Sequence, residues 1–341
     1  MRRLLSKSLL LMALFPALAP ALTLKIATVA PEGTRWMQEM RAGAREIASR
    51  TNGRVKLKFY PGGVMGNDKS VLKKIRLGQL HGGALTGGSL ARVYPDMQIY
   101  SLPMEFNTLD EVDAVRREID PVLRKGMEQH GFVILGLAEG GFAYLMSSDP
   151  ITRIEELRQH KVWVPEDDLL SYVLFRKMGV QPITLPLADV YTSLQTGLID
   201  TVGATPVGAI AFQWHTRLKS VTNQPLMYLV GALVVDKKRF SRIRPADRKV
   251  VMEVMDGIFR RLDRANRSDN AAALATLRQR GFSFVTPSTE EVARWKRLAE
   301  EAIAEEEGIV VSKALHQRLR RLLAEYRAQR PERQAHLAAG Q

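Results

Sequence analysis

Few residues in this 341-residue chain are spaced to do catalytic chemistry. The six histidines are His81, His130, His160, His215, His316 and His336, and none belongs to an H-E-x-x-H pair that would set two imidazoles around zinc. There is no cysteine, which removes thiolate metal sites, redox pairs and cysteine nucleophiles. No G-x-S-x-G elbow, P-loop or G-x-G-x-x-G fingerprint occurs. Gly87-Gly88 and Gly140-Gly141 read as turns. Asp167-Asp168 could form an acid–base or metal-binding pair, but their place between Pro165 and Leu169 fits the capping of a helix. An exported enzyme, such as a hydrolase or lyase using Glu139 or Asp167, is the alternative. The residues therefore point to a binding protein with no catalytic residues, no metal and no cofactor, which holds its ligand between two units.

The elements that would build those units follow from periodicity. Residues 24–28 alternate as a strand, and Trp36, Met37, Met40, Ala44, Ile47 and Ala48 recur at helical spacing until Thr51-Asn52-Gly53. Val55, Leu57 and Phe59 mark a half-exposed strand, Pro61-Gly62-Gly63 a loop, and Val71, Leu72, Ile75 and Leu77 a helix ended by Gly78. Thr108 and Glu111 form a capping box, and residues 132–137 a buried strand. A second unit repeats the rhythm with strands at 161–164, 183–185 and 198–200 and helices at 169–178 and 188–196. The apolar run 225–235 is too short to span a bilayer and reads as another buried strand. Ser288 and Glu291 box a further helix. The class is α/β, with two parallel-sheet units expected rather than one long sheet.

Residues 1–21 read as a secretory signal peptide: Arg2, Arg3 and Lys7 precede an apolar stretch at 9–18, and Ala19-Pro20-Ala21 supplies small residues for cleavage after Ala21. Export to the periplasm is the expectation. The net charge of +14 falls to +11 without that leader, and residues 308–341 carry +5 of it. That stretch alternates Arg318, Arg320, Arg321 and Arg327 with Leu319, Leu322 and Leu323, an amphipathic helix with a solvated basic face. No aromatic platform or Gly-rich clamp accompanies the charge, so no nucleic-acid partner is expected. Oligomeric state is not encoded in any pattern of this kind.

Several segments, in order, resemble the solute-binding proteins of TRAP transporters, the DctP-type family. They are residues 51–66 (TNGRVKLKFYPGGVMG), 75–80 (IRLGQL), 101–106 (SLPMEF), 161–165 (KVWVP) and 190–200 (VYTSLQTGLID). The resemblance implies a periplasmic binding protein fold: two α/β domains joined by a hinge of crossing strands and a long domain-spanning helix. It implies one domain from residues 22–140 with 229–269, and another from 141–228 with 270–341. It also implies a small organic ligand in the cleft and delivery to TRAP permease membrane subunits.

The departures bear on the ligand. Most family members carry an arginine two residues before the proline of the segment matching Lys161–Pro165, and an arginine fork suits a carboxylate. Here that residue is Trp163, and the position of a second, supporting arginine is Ala143. Thr205 falls where asparagine is common. The expectation is a ligand with apolar or aromatic surface, lined by Trp163, Phe142, Tyr144 and Trp214, with hydrogen bonds from Thr205 and Gln213. The alternative is a carboxylate held by a relocated cation, first of all Arg35 and then Arg92 or Lys161. Glu105 and Glu139 are candidate acceptors for a cationic group.

Overall fold

The structure, a computed structural model, describes residues 21–166 and 168–329. The expected leader up to residue 20, Asp167 and the chain from residue 330 onward lie outside the described residues. The strands are β1 (Leu22–Thr28), β2 (Val55–Tyr60), β3 (Gly82–Thr86), β4 (Phe132–Ser147), β5 (Trp163–Pro165), β6 (Ile183–Leu185), β7 (Thr201–Ala204), β8 (Ser220–Asp236) and β9 (Ser283–Val285). Seven of them share one sheet in the order β2-β1-β3-β8-β4-β7, with β9 added beside β8, while β5 and β6 pair separately.

That continuity corrects the expectation of two separate parallel-sheet units. The local units are parallel as expected, β1 with β2 and β3, and β5 with β6. They are fused because β4 and β8 run 16 and 17 residues and stay antiparallel from Phe132↔Asp236 to Ser147↔Ser220. The strand expected at 132–137 is only the first part of β4. Its glycines act as bulge positions rather than turns, with register shifts at Ile134/Gly136 and Glu139/Gly141. At Gly136 a Cβ would lie 2.1 Å from the Phe259 ring, so only glycine lets that ring seat on the strand.

A second correction concerns the strand expected at 198–200. Gly197 takes φ 71° and ends helix Val190–Thr196, and the amides of Leu198 and Ile199 bond back to the Ser193 carbonyl at 3.0 and 3.3 Å. Those donors are already used by the helix end, so pairing begins at Thr201.

Local rules place the helices around the sheet. Helix Arg35–Arg50 is capped by Thr34 and buries Met37, Met40 and Ile47 along one stripe. Thr108 caps helix Leu109–Gln129, and Ser288 caps helix Thr289–Glu306. Helix Pro245–Gln279 has 35 residues, a rod of about 52 Å. Its Val251, Met255, Ile258 and Phe259 pack with Leu24, Ile26, Met37 and Met40. Leu277, near its other end, packs with Trp163, Val202 and Trp214. One helix therefore spans both halves. Helix Thr289–Glu306 rests on helix Leu169–Lys177 of the second half. Helix Lys313–Ala328 crosses to helix Leu109–Gln129 of the first, with Arg318–Glu118 and Arg327–Glu111 pairs at 2.9 Å. Among the described residues no helix is long and apolar enough to cross a membrane.

Candidate functional site

Ligands of open α/β sheets bind beyond the carboxyl ends of parallel strands. In the first half those ends are Thr28, Tyr60 and Thr86. In the second they are Pro165 and Leu185, with Ala204 alongside through the parallel bridge Val162↔Thr201. The two edges face each other. Asn67, which caps helix Asp68–Arg76 through Oδ1, donates from Nδ2 to Glu166 Oε1 at 3.0 Å across the cleft.

The floor of the cleft is the long helix. Arg35, the first residue of helix Arg35–Arg50, pairs with Asp269 through Nε at 2.8 Å and Nη2 at 3.3 Å. The adjacent Asn270 accepts from Val207 N, at the start of helix Pro206–Ala211, at 3.2 Å and donates to the Gly140 carbonyl at 3.1 Å. Helix starts from both halves thus meet at neighbouring residues of one rod. Gly141 passes beneath with φ 101°, where a Cβ would come within 2.7 Å of Asn270 Nδ2.

The hinge carries a dense charge network. Glu139, its side chain 2% exposed, accepts from Arg116 Nη1 at 2.6 Å and from Arg267 Nε and Nη2 at 2.8 and 2.7 Å. Its backbone amide donates to Asp263 Oδ1 at 3.0 Å, and Asn266 donates to its carbonyl. Burial alone would raise the Glu139 carboxyl, but the Arg267 bonds and the Arg116 charge outweigh it and hold the group below its ordinary range. Burial dominates at Asp263 and pushes that carboxyl up, against Arg116. Both Glu139 oxygens are engaged by guanidinium donors, and the residue fastens β4 to the long helix.

Among the residues singled out from the sequence, Trp163, Trp214 and Tyr144 come together in one apolar cluster. Trp163 and Trp214 meet edge to face at 5.5 Å, and Phe212 stacks on Trp214 at 5.5 Å. The Trp163 ring is 4% exposed and its Nε1–H donates to the Leu185 carbonyl at 3.0 Å. Thr205 caps helix Pro206–Ala211, its Oγ accepting from Gly208 N at 3.1 Å. Gln213, exposed and at φ 61°, links that helix to Trp214.

The others lie elsewhere. Phe142 packs on Tyr228, 5.1 Å between centroids. Arg35 is 59% exposed and held by Asp269. Lys161 Nζ donates to the Gly197 carbonyl. Glu105 faces the C-terminal helix, with His316 Nε2 at 3.7 Å and its carbonyl bonded by Arg327. Asp168 caps helix Leu169–Lys177 as expected, accepting from Ser171 N at 3.0 Å. Asn67, Glu166, Asp269 and Asn270 were not singled out. Only Asn67 carried a local signal, an N-cap type three residues before Ser70.

The chain matches the family of bacterial extracellular solute-binding proteins, family 7, over residues 26–308. The C4-dicarboxylate-binding periplasmic protein DctP of Rhodobacter capsulatus is 26% identical over 83% of this chain and 86% of its own length. The protein YiiZ of Salmonella typhimurium is 29% identical over 46% of this chain, and the match spans 48% of YiiZ. In three dimensions the chain is similar to a TRAP periplasmic solute-binding protein from Xanthobacter autotrophicus Py2 solved with β-D-galacturonate. The TM-score is 0.81 at 20% identity, covering 88% of this chain and 99% of that one. Two lobes fused through β4 and β8, a rod bridging them and a match of this extent agree. The chain belongs to family 7 of the bacterial extracellular solute-binding proteins, the DctP family.

Proposed function

We propose that this protein is the periplasmic solute-binding subunit of a TRAP-type transporter whose ligand is held without the usual arginine clamp. It captures a small organic ligand between its lobes and delivers it to the membrane permease subunits. The leader is cleaved after Ala21. We read it as a carrier, which the engagement of Glu139, one of the two carboxylates an enzyme would use, by Arg116 and Arg267 supports.

The observation that carries the ligand class is Trp163. It occupies the arginine position of the family pattern, its N–H is used by Leu185, and its ring joins Trp214. No cation is offered from that strand, and its place is taken by an indole buried in the apolar cluster. Tyr144 and Phe142, half-buried, would offer aromatic surface, with Trp163 and Trp214, 4% and 3% exposed, as buried backing, while Thr205 and Gln213 would supply hydrogen bonds. Apolar or aromatic surface on the ligand is the complement. A second reading rests on Arg35, which lies at the cleft floor. A ligand carboxylate that displaced Asp269 from it would restore an ionic anchor.

Intrinsic tryptophan fluorescence titrations separate the two. Aromatic and branched-chain acids or amides should bind more tightly than galacturonate or succinate, and Arg35→Ala should leave their affinity within about twofold. Tighter binding of galacturonate or succinate, abolished in Arg35→Ala, would establish the second reading.

A further inference from the structure

A cavity of about 530 Å3 opens at the end of the sheet where β4 begins and β8 ends. Its charged lining is Arg76, Arg92, Lys238, Arg239 and Arg242 against one carboxylate, Asp236. That carboxylate is already engaged as a helix cap, accepting from Arg239 N at 2.8 Å. Elsewhere the arginines of this basic chain are commonly paired, as at Arg54–Asp247, Arg116–Asp263, Arg261–Glu39 and Arg318–Glu118. Among the described residues no ion pair involves Arg76, Lys238, Arg239 or Arg242.

Helix ends explain part of this clustering. Arg76 lies in the last turn of helix Asp68–Arg76, and Arg239 Nη2 lies 3.8 Å from where a Cβ on Gly78 would stand, just past that helix. Free carbonyls there favour a cation. They do not account for Lys238, because helix Lys237–Phe240 is a single turn of four residues with no distinct end to favour a cation. Nor do they explain Arg242, exposed beyond that helix. Four like charges around one cavity repel one another until an anion enters.

We propose that this cavity binds a phosphate-bearing anion, a phosphomonoester or phosphodiester group. Guanidinium forks match phosphate oxygens in pairs. The volume suits a phosphate with a short stem, and Ile75 and Phe132 supply an apolar wall for that stem. The group could arrive on a free compound or on an anionic phospholipid headgroup, and the two sources differ experimentally.

The test is calorimetric titration of the full chain with inorganic pyrophosphate, beside co-sedimentation with phosphatidylglycerol and with phosphatidylcholine vesicles. R239Q/R242Q is compared with R320Q, an exposed charge on the C-terminal helix. Both sets are surface substitutions, and matched circular dichroism melts confirm folding. Saturable pyrophosphate binding, about tenfold weaker in R239Q/R242Q and unchanged in R320Q, supports the site. Capture by phosphatidylglycerol vesicles alone, lost in the same double variant, assigns it to a lipid headgroup. Absence of saturable binding to both, or equal weakening in R320Q, overturns the proposal.

Discussion

Replacing Glu139 by glutamine removes one charge from the hinge and keeps its volume. The carboxylate accepts three guanidinium bonds, one from Arg116 and two from Arg267. Each such bond is worth roughly 1.5–3 kcal/mol, and stranding a buried charge costs roughly 3–5 kcal/mol. The arginines are not stranded here: Arg116 keeps Asp120 and Asp263, and Arg267 keeps Asp113. Glutamine also retains one acceptor oxygen. The expected loss is therefore about 2–3 kcal/mol at neutral pH, read as a lower urea midpoint at unchanged slope. The pH dependence follows from the depressed Glu139 pKa. Its contribution is present above the ordinary carboxylate range and is lost as pH falls through the depressed folded value. Asp263, pushed up by burial and in part by the Glu139 charge, acts in the opposite sense and is pushed up less in the variant, a smaller effect that narrows the gap at neutral pH. The gap between wild type and Glu139→Gln should thus hold at neutral pH and close as pH falls below the ordinary carboxylate range. A loss below about 0.5 kcal/mol at pH 7, or a gap that persists at the acid end, would refute the reasoning.

Gly141→Ala forces an L side chain into φ 101° and against Asn270, and should cost about 1–3 kcal/mol by urea unfolding; a neutral substitution would mean the hinge relaxes freely. Asn67→Ala removes the cross-cleft bond to Glu166. It should weaken ligand by about two- to fivefold and leave thermal stability unchanged, as read by titration and melting. At His316 the nearby Glu105 carboxylate, followed by Glu307, outweighs burial and raises the imidazole pKa. Stability from that proton is full below about pH 6 and lost as pH rises through the folded value. His316→Gln should therefore be destabilised relative to wild type at pH 6 and converge with it by pH 9; an equal gap at both pH values would contradict the assignment.

Local rules made much of the fold readable. Thr108, Ser288 and Asp168 open helices where their side chains announce them, and the stripe from Met37 to Ile47 faces the core. Glycine was the main source of error. Gly140-Gly141 resembles a turn in sequence, yet it lies within β4, where Gly141 admits the Asn270 side chain as Gly136 admits the Phe259 ring, both from a helix more than a hundred residues later. The same separation hides the hinge: Glu139 finds Arg116 and Arg267 at sequence distances of 23 and 128. Trp163, Trp214 and Tyr144 share one apolar cluster, in which both indoles are buried, and sequence alone does not say which of their faces a ligand would meet. The engagement of Arg35 by Asp269 was not legible, because it needs the long helix to pass beneath the cleft.

The most direct measurement is native mass spectrometry of the purified protein, with identification of the compound it carries. A bound molecule with apolar or aromatic surface, retained in Arg35→Ala and weakened in Trp163→Phe, is expected if an aromatic wall has replaced the arginine clamp. A sugar acid or C4-dicarboxylate retained in Trp163→Phe and lost in Arg35→Ala would contradict it.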